Sequence, residues 1–443
     1  VQSTKELAPG EQGWAATPVA GPAGSAAGGF WPGFAARYYG REPLEADDPE
    51  AQLAVSGAEL FQLLVRAAAS RGRGPKDPQI RFHIGQRQII ADIGDYLPVP
   101  QDGSLDDYIA RLEKELDGEP YLLVVEHAQV ASRPIWKKAA RFLASLYEVT
   151  GALPGNVDLE VFVGRYPHTI PGIHRELSGV FVSMVQGAKD ILVWPPEATG
   201  LPLGTARYQQ AIQTARRLRC EPGRLVYWPA MHWHIGECPA QTTAGVHIAV
   251  LAEPPTVQDL LAGATANLDA DAAPGISPGW SGHGSHDLGL PPTFDSAVQS
   301  VITAYGDVAV VRDNLIAEWL RRRTALGFTA VPPGRKVVLT SDHSVTRDSV
   351  QPIVVASRDS ATSWLAADGR VGYARSAPSL IRLVDWLNAG ETISVRAAVE
   401  LGAAAPERDV LMKVLALLSN WRALEISGPG QQTSDGRPQA RLP

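Results

Sequence analysis

The chain has 443 residues, 45% of them apolar and 20% charged, with a formal net charge of −7. That length exceeds one ordinary hydrophobic core, so more than one domain is expected. The acidic balance weighs against broad nucleic-acid binding, which depends on Lys and Arg neutralising phosphates, and no apolar run is long enough to span a bilayer.

In chain order, "GPAGSAAGGF" reads as a flexible lead-in, because Gly and Ala offer little to bury. "FWPGFAARYYGREPLEADD" and "SGAELFQLLVRAAAS" have helical character, the second with Ser56 as N-cap. Between Gln79 and Val125, short apolar runs alternate with turns and one helix around "SLDDYIARLEKEL". "PIWKKAARFLASLYEVTG" repeats apolar residues at helical spacing and stops at Gly151.

Residues 157–252 then read as successive strands: "VDLEVFVGRY", "GVFVSMVQG", "KDILVWPP", "GRLVYWP" and "TAGVHIAVL". Short strands separated by Gly and Pro suggest a sandwich or barrel. A Gly-, Pro- and Ser-rich linker or lid follows over 256–294, then a helical region over 295–330. The runs "RRLRC" at 216–220 and "RRR" at 321–323 read as solvated helix faces. In 331–427, "KVVLTSD", "IVVASR" and "VGYAR" read as strands, followed by three helices and "RALEIS", an order that suits a winged helix. Residues 428–443 read as a tail.

Cys220 and Cys238 are the only cysteines, too few for a disulfide framework and wrongly spaced for a thiolate zinc site. A reducing, cytoplasmic compartment is expected. Lysine is scarce, with eight among forty basic residues, so Lys189 beside the apolar run "ILVWPP" stands out.

The stretch "PGIHRELSG" sets His174 two residues before Glu176. In a strand both side chains point to one face while Arg175 points away. A lone His-x-Glu is ordinarily structural, but "GRLVYWPAMHWHIGE" supplies further imidazoles at His232 and His234, and strand parity admits either. Two His and one carboxylate suit non-haem iron with open positions, or a zinc hydrolase with water as the fourth ligand. A keto-acid co-substrate would need a buried cation for its far carboxylate. Lys189 is the candidate, since no Arg or Lys occurs between His234 and Arg312.

The run "HRE", then "GAKDILVWPP" and "YWPAMHWH", resembles a Jumonji C, cupin-like 2-oxoglutarate oxygenase, most similar in layout to the ribosomal oxygenases. The resemblance implies a mainly β fold: a double-stranded β-helix (jelly-roll) core over 1–255 with flanking helices, followed by the helical region and a C-terminal winged helix. It implies His174, Glu176 and His234 as Fe(II) ligands, Lys189 on the 2-oxoglutarate carboxylate, and dioxygen as oxidant. It also implies a protein or peptide substrate and a homodimer through 295–327. Hydroxylases of this kind usually have Asp where Glu176 stands. A hydroxyl residue that often precedes the first ligand is replaced by Pro171, leaving Thr169 or Tyr166 as substitutes.

Rival readings are an N-methyl-lysine or N-methyl-arginine demethylase of the same fold, a docking protein without catalysis, and a DNA-binding regulator that senses 2-oxoglutarate. Between Arg375 and Ser427, six basic residues face six acidic ones, which disfavours DNA. His168 and His247 read as satisfied polar residues near a barrel rim, and His83 and His127 have no ligand-like partner in sequence. Trp194, Trp228 and Trp233 read as core or pocket wall.

Overall fold

The computed structural model describes residues 29–71, 77–151, 155–204, 207–252, 306, 308–334 and 336–428. The lead-in, the 256–294 linker or lid, the first part of the helical region and nearly all of the tail lie outside the described residues.

Helix α1 (Phe30–Arg37) and strand β1 (Leu44–Ala46) lead into α2 (Gly57–Ser70). The start of α2 is fixed by Ser56 and Glu59. The Ser56 hydroxyl accepts from the Glu59 N–H at 3.2 Å and the Glu59 carboxylate accepts from the Ser56 N–H at 2.9 Å, pairing donors that a helix start leaves open. Strands β2 (Gln79–Ile84) and β3 (Arg87–Ile89), helix α3 (Leu105–Glu115), strand β4 (Tyr121–Glu126) and helix α4 (Arg133–Thr150) follow. Helix α4 ends on Gly151 at φ 65°, a left-handed cap that suits glycine.

The next strands are β5 (Val157–Tyr166), β6 (Ser178–Gln186), β7 (Lys189–Trp194), β8 (Arg216–Cys220), β9 (Leu225–Trp228) and the long β10 (Trp233–Leu251). They pair antiparallel in two layers. In one, the C-terminal part of β10 lies between β5 and β6, and β9 flanks β6. In the other, the N-terminal part of β10 pairs with β7, and β7 with β8. β10 leaves β7 after Glu237 and joins β5 at Cys238, and its register on β5 then shifts between Cys238 and Thr243.

Period-two alternation decides what each face does. Phe162 and Tyr166 of β5 meet Val180, Val182, Ile191, Val193, Leu218 and Trp228 between the layers. Leu159, Val161 and Val163 face the opposite way, onto the core that includes Trp31, Leu60, Trp136 and Leu143 of the helices.

Helix α5 (Val308–Ala325) precedes a second unit of β11 (Ser344–Arg347), β12 (Val354–Ser357), β13 (Thr362–Ala367), β14 (Arg370–Arg375), α6 (Pro378–Asn388), β15 (Ile393–Ser394), α7 (Val395–Glu400), α8 (Ala405–Asn420) and β16 (Leu424–Ser427). It has two three-stranded sheets, β15-β11-β16 and β12-β13-β14, and a core of its own around Leu365, Leu383, Leu411 and Leu415. Arg133 of α4 joins the two units, donating to Asp368 at 2.9 Å and Asp348 at 3.1 Å, with Lys137 also on Asp348. Among the described residues no helix is long and apolar enough to cross a membrane.

Three expectations change. "RRLRC" is strand β8 rather than a helix: Leu218 and Cys220 point inward while Arg217 and Arg219 reach Asp190 at the surface. "KVVLTSD" forms no strand among its described residues, and β11 starts at Ser344 beyond it. "HREL" is irregular, and only a bridge between His174 and His234 continues the sheet there.

The turn that delivers Lys189 rests on Gly187, at φ 67° and so close to β10 that a Cβ would lie 2.6 Å from the Thr242 carbonyl oxygen. Gly187→Ala is expected to lower stability by about 1–3 kcal/mol, read as a shifted urea midpoint.

Candidate functional site

The site begins with backbone pairing. The Met231 N–H donates to the Glu176 carbonyl at 2.8 Å, and His174 and His234 exchange N–H···O bonds of 3.1 and 2.8 Å. Met231 sits at φ 65°, where the chain reverses after Pro229. This pairing brings two stretches far apart in sequence face to face, with the His174 and His234 rings 4.2 Å apart between centroids.

The ring nitrogens are sorted by their partners. His174 Nδ1 lies 2.9 Å from the Gly172 carbonyl and His234 Nδ1 lies 3.1 Å from the His232 carbonyl. A carbonyl only accepts, so each Nδ1 carries the proton and each Nε2 keeps its lone pair. His234 Nε2 stands 3.5 Å from Glu176 Oε1. Burial, with the adjacent His174, pushes the His234 pKa down to about 3, so the ring is neutral at physiological pH. Burial raises Glu176 to about 7, although 38% of its side-chain surface remains open.

Lys189, at the head of β7, is only 2% exposed. Its ammonium donates to His247 Nε2 at 2.9 Å and lies 3.5 Å from the Phe162 ring centroid. Among the described residues no carboxylate comes within ion-pair distance of it. Burial draws its pKa down to about 8. Tyr166 is also buried, beside the same two thiols, Cys220 and Cys238, that neighbour Lys189. Both cysteines are free and buried, and burial lifts the Cys220 thiol to about 12.

The remaining expected residues take ordinary places. The Thr169 hydroxyl accepts from the Gly236 N–H at 3.3 Å. His232 belongs to the turn, its Nδ1 3.4 Å from the Ala230 carbonyl. His168 Nδ1 faces the Thr169 carbonyl, and His127 pairs with Asp158 at 2.8 Å, an ion-pair partner not seen in the sequence. The Arg175 guanidinium stacks on Trp233 at 4.5 Å, away from His174 and Glu176. Trp228 packs on His234 at 4.9 Å, and its indole N–H is buried with no hydrogen-bond partner among the described residues.

His247 is satisfied, as expected, but by a partner the sequence did not reveal: its ring accepts from the buried ammonium of Lys189. The available signal was its register opposite Glu160 on β5, which needs the pairing of strands to be known. Among the described residues no three His, Cys, Asp or Glu side chains stand in a ready-made cluster for an ion. His174 and His234 are ring neighbours, and Glu176 Oε1 lies 3.5 Å from His234 Nε2.

No family model and no curated protein matches the chain. Solved structures do. An Escherichia coli YcfD structure is similar over 90% of this chain and 98% of its own, at 14% identity and a TM-score of 0.48. Escherichia coli YcfD, described as a ribosomal oxygenase, in complex with cobalt and 2-oxoglutarate, matches over the same shares at 13% and 0.45. A third structure of that oxygenase, with cobalt and succinic acid, matches at 12% and 0.46. Fold likeness does not fix chemistry, which is carried by the side chains above.

The Glu176 pKa has a stability consequence in the metal-free protein. Its folded value lies above its ordinary 4.5, so its contribution is full below about 4.5 and is lost as pH rises through about 7. His234 runs the other way, contributing above its ordinary 6.5 and losing that as pH falls toward about 3. Glu176→Gln is therefore expected to raise the melting temperature at pH 8 more than at pH 5. An equal shift at both, measured by thermal denaturation without metal, would contradict the assignment.

Proposed function

We propose that this chain is an Fe(II)- and 2-oxoglutarate-dependent oxygenase that hydroxylates a side chain of a protein or peptide, on a double-stranded β-helix core. The observation that carries the reading is the buried ammonium of Lys189, which lacks a carboxylate partner among the described residues and is close enough to His234 to act on it electrostatically, His234 in turn standing beside His174 and Glu176. An unpaired buried cation is costly. The far carboxylate of a bound dicarboxylate would offset that cost.

The donor set fits a ferrous ion. Both Nδ1 protons are held by carbonyls, so both Nε2 lone pairs are free, and Glu176 Oε1 stands beside one of them. When bound, iron would supply the oxidising chemistry by which dioxygen converts 2-oxoglutarate to succinate and carbon dioxide while its second oxygen atom enters a C–H bond of the substrate. The protein's side chains hold and orient. His174, His234 and a turned Glu176 would grip the ion, and Lys189 would take the distal carboxylate. Tyr166 offers a buried hydroxyl, and Thr169 keeps its hydroxyl proton while its oxygen accepts from Gly236. Trp228 and Phe162 wall the interior against water.

The second unit, with its helix–strand–helix–helix–strand order, is read as a winged helix that docks protein rather than nucleic acid, since its basic and acidic residues balance. Homodimerisation through 295–327 belongs to the same proposal, as does a reducing, cytoplasmic setting, which two unpaired buried cysteines suit. Glu in place of Asp at 176 favours one other reading, N-methyl demethylation.

The test is succinate release from 2-oxoglutarate by the Fe(II)-loaded protein, with mass spectrometry of captured peptides. A gain of one oxygen supports hydroxylation; loss of a methyl supports demethylation. His174→Ala, His234→Ala and Glu176→Ala are expected to reduce turnover at least about a hundredfold. His232→Ala should keep its iron, and iron loss in that variant would reverse the ligand assignment. Absence of both succinate release and iron retention in the unaltered protein would leave the docking role alone.

A further inference from the structure

His247 stands on β10 thirteen residues beyond His234, yet both rings reach the same interior. The reason is the register break between Cys238 and Thr243. His234 belongs to the layer of β7 and β8, His247 to the layer of β5 and β6, and Trp228 touches both rings, at 4.9 and 6.1 Å between centroids. His247 therefore bridges the layers, from its cross-strand partner Glu160 on β5 to Lys189 on β7.

The contacts of that bridge determine its charge and direction. An ammonium only donates, so His247 Nε2 accepts and its proton is on Nδ1. Nδ1 faces Glu160 Oε2 at 3.8 Å, too long for a hydrogen bond but with the sign that favours this tautomer. Burial and the adjacent Lys189 charge hold His247 far below its ordinary pKa, so the ring is neutral. Phe162 stacks against the imidazole at 4.6 Å and covers the ammonium. One N–H of Lys189 is thus taken by the ring and one side is closed by Phe162, leaving the remaining donors to point away from both.

We propose that His247 is a positioning residue for an anionic co-substrate: a neutral acceptor that fixes the direction of the Lys189 ammonium without cancelling its charge. The proposal rests on the 2-oxoglutarate reading above. A carboxylate at 247 would hold Lys189 equally well but would be its counter-ion, and so would compete with the ligand. A neutral acceptor leaves the positive charge for the ligand. This makes charge at 247, rather than bulk, the quantity that matters.

The experiment is titration calorimetry of 2-oxoglutarate into the full-length Mn(II)-loaded protein, with Mn(II) affinity and melting temperature measured alongside. His247→Gln, a neutral acceptor, is expected to bind within about threefold of the unaltered protein, and His247→Leu about tenfold more weakly, the loss of one hydrogen bond to a charged group. His247→Glu is expected to bind more weakly still, with Mn(II) affinity unchanged. In turnover, the Leu variant should raise KM for 2-oxoglutarate and leave kcat at saturation near its original value. Should His247→Glu fail to fold, the contrast between Leu and Gln decides. Equal affinities in Leu, Gln and unaltered protein overturn the positioning role while leaving the oxygenase reading intact. Failure of the unaltered protein to bind 2-oxoglutarate overturns both.

Discussion

The site depends on one strand serving two sheets. If β10 continued in a single register, His234 and His247, an odd number of residues apart, would point to opposite faces. β10 passes from β7 to β5 between Glu237 and Cys238, and the irregularity that follows, between Cys238 and Thr243, shifts its register, so that both imidazoles face one interior. The same irregularity brings the Thr242 carbonyl against Gly187, in the turn that launches β7 and Lys189. One bend in the backbone therefore places the two ring systems and sets the position of the cation.

What the bend encloses is electrically unbalanced. The neutral imidazoles of His234 and His247 and an ammonium held on an imidazole and an aromatic face occupy a mostly apolar interior, and the part-exposed carboxyl groups of Glu160 and Glu176, with pKa values raised to about 7, stand at its edge. Such groups oppose folding when unpaired. Their placement in an interior otherwise lined by Val180, Val182, Ile191, Val193 and Leu218 is the local inconsistency expected where function has been favoured over stability. The surrounding elements compensate. The helices cover the outer face of the larger sheet with a continuous apolar core, and the outer face of β7 and β10 is closed by Leu192, Trp194, Tyr208 and Ile235.

The second unit is tied to this core by charge rather than by a shared sheet. Arg133 is 10% exposed and reaches Asp348 and Asp368 together, and Asp368 is itself only 3% exposed. A guanidinium suits this position because its fork of donors satisfies more than one acceptor at once, whereas a lysine offers a point charge. Trp136 of the same helix donates to the Thr329 carbonyl at 3.1 Å, so α4 carries both the contact to the segment that follows α5 and the contact to the second unit.

Local chemistry was legible in the residues themselves. The Ser56 cap, the Gly151 stop and the alternation along 157–166 depend on neighbours a few positions away, and the structure has them where the pattern put them. "RRLRC" was misread because three arginines in five residues mask a period of two that only inward-facing Leu218 and Cys220 reveal. The sequence could point to His174, Glu176, His234 and Lys189 as a set through resemblance, but their side-chain contacts were beyond it. The partner of Lys189 was not legible, because His247 lies 58 positions away and reaches it only after β10 has crossed between layers. The sequence by itself thus determined most of the helices and strands and which residue types are unusual for their surroundings. Only the tertiary structure decided which of those side chains meet, because strand pairing and a break in register act between residues that local pattern cannot connect.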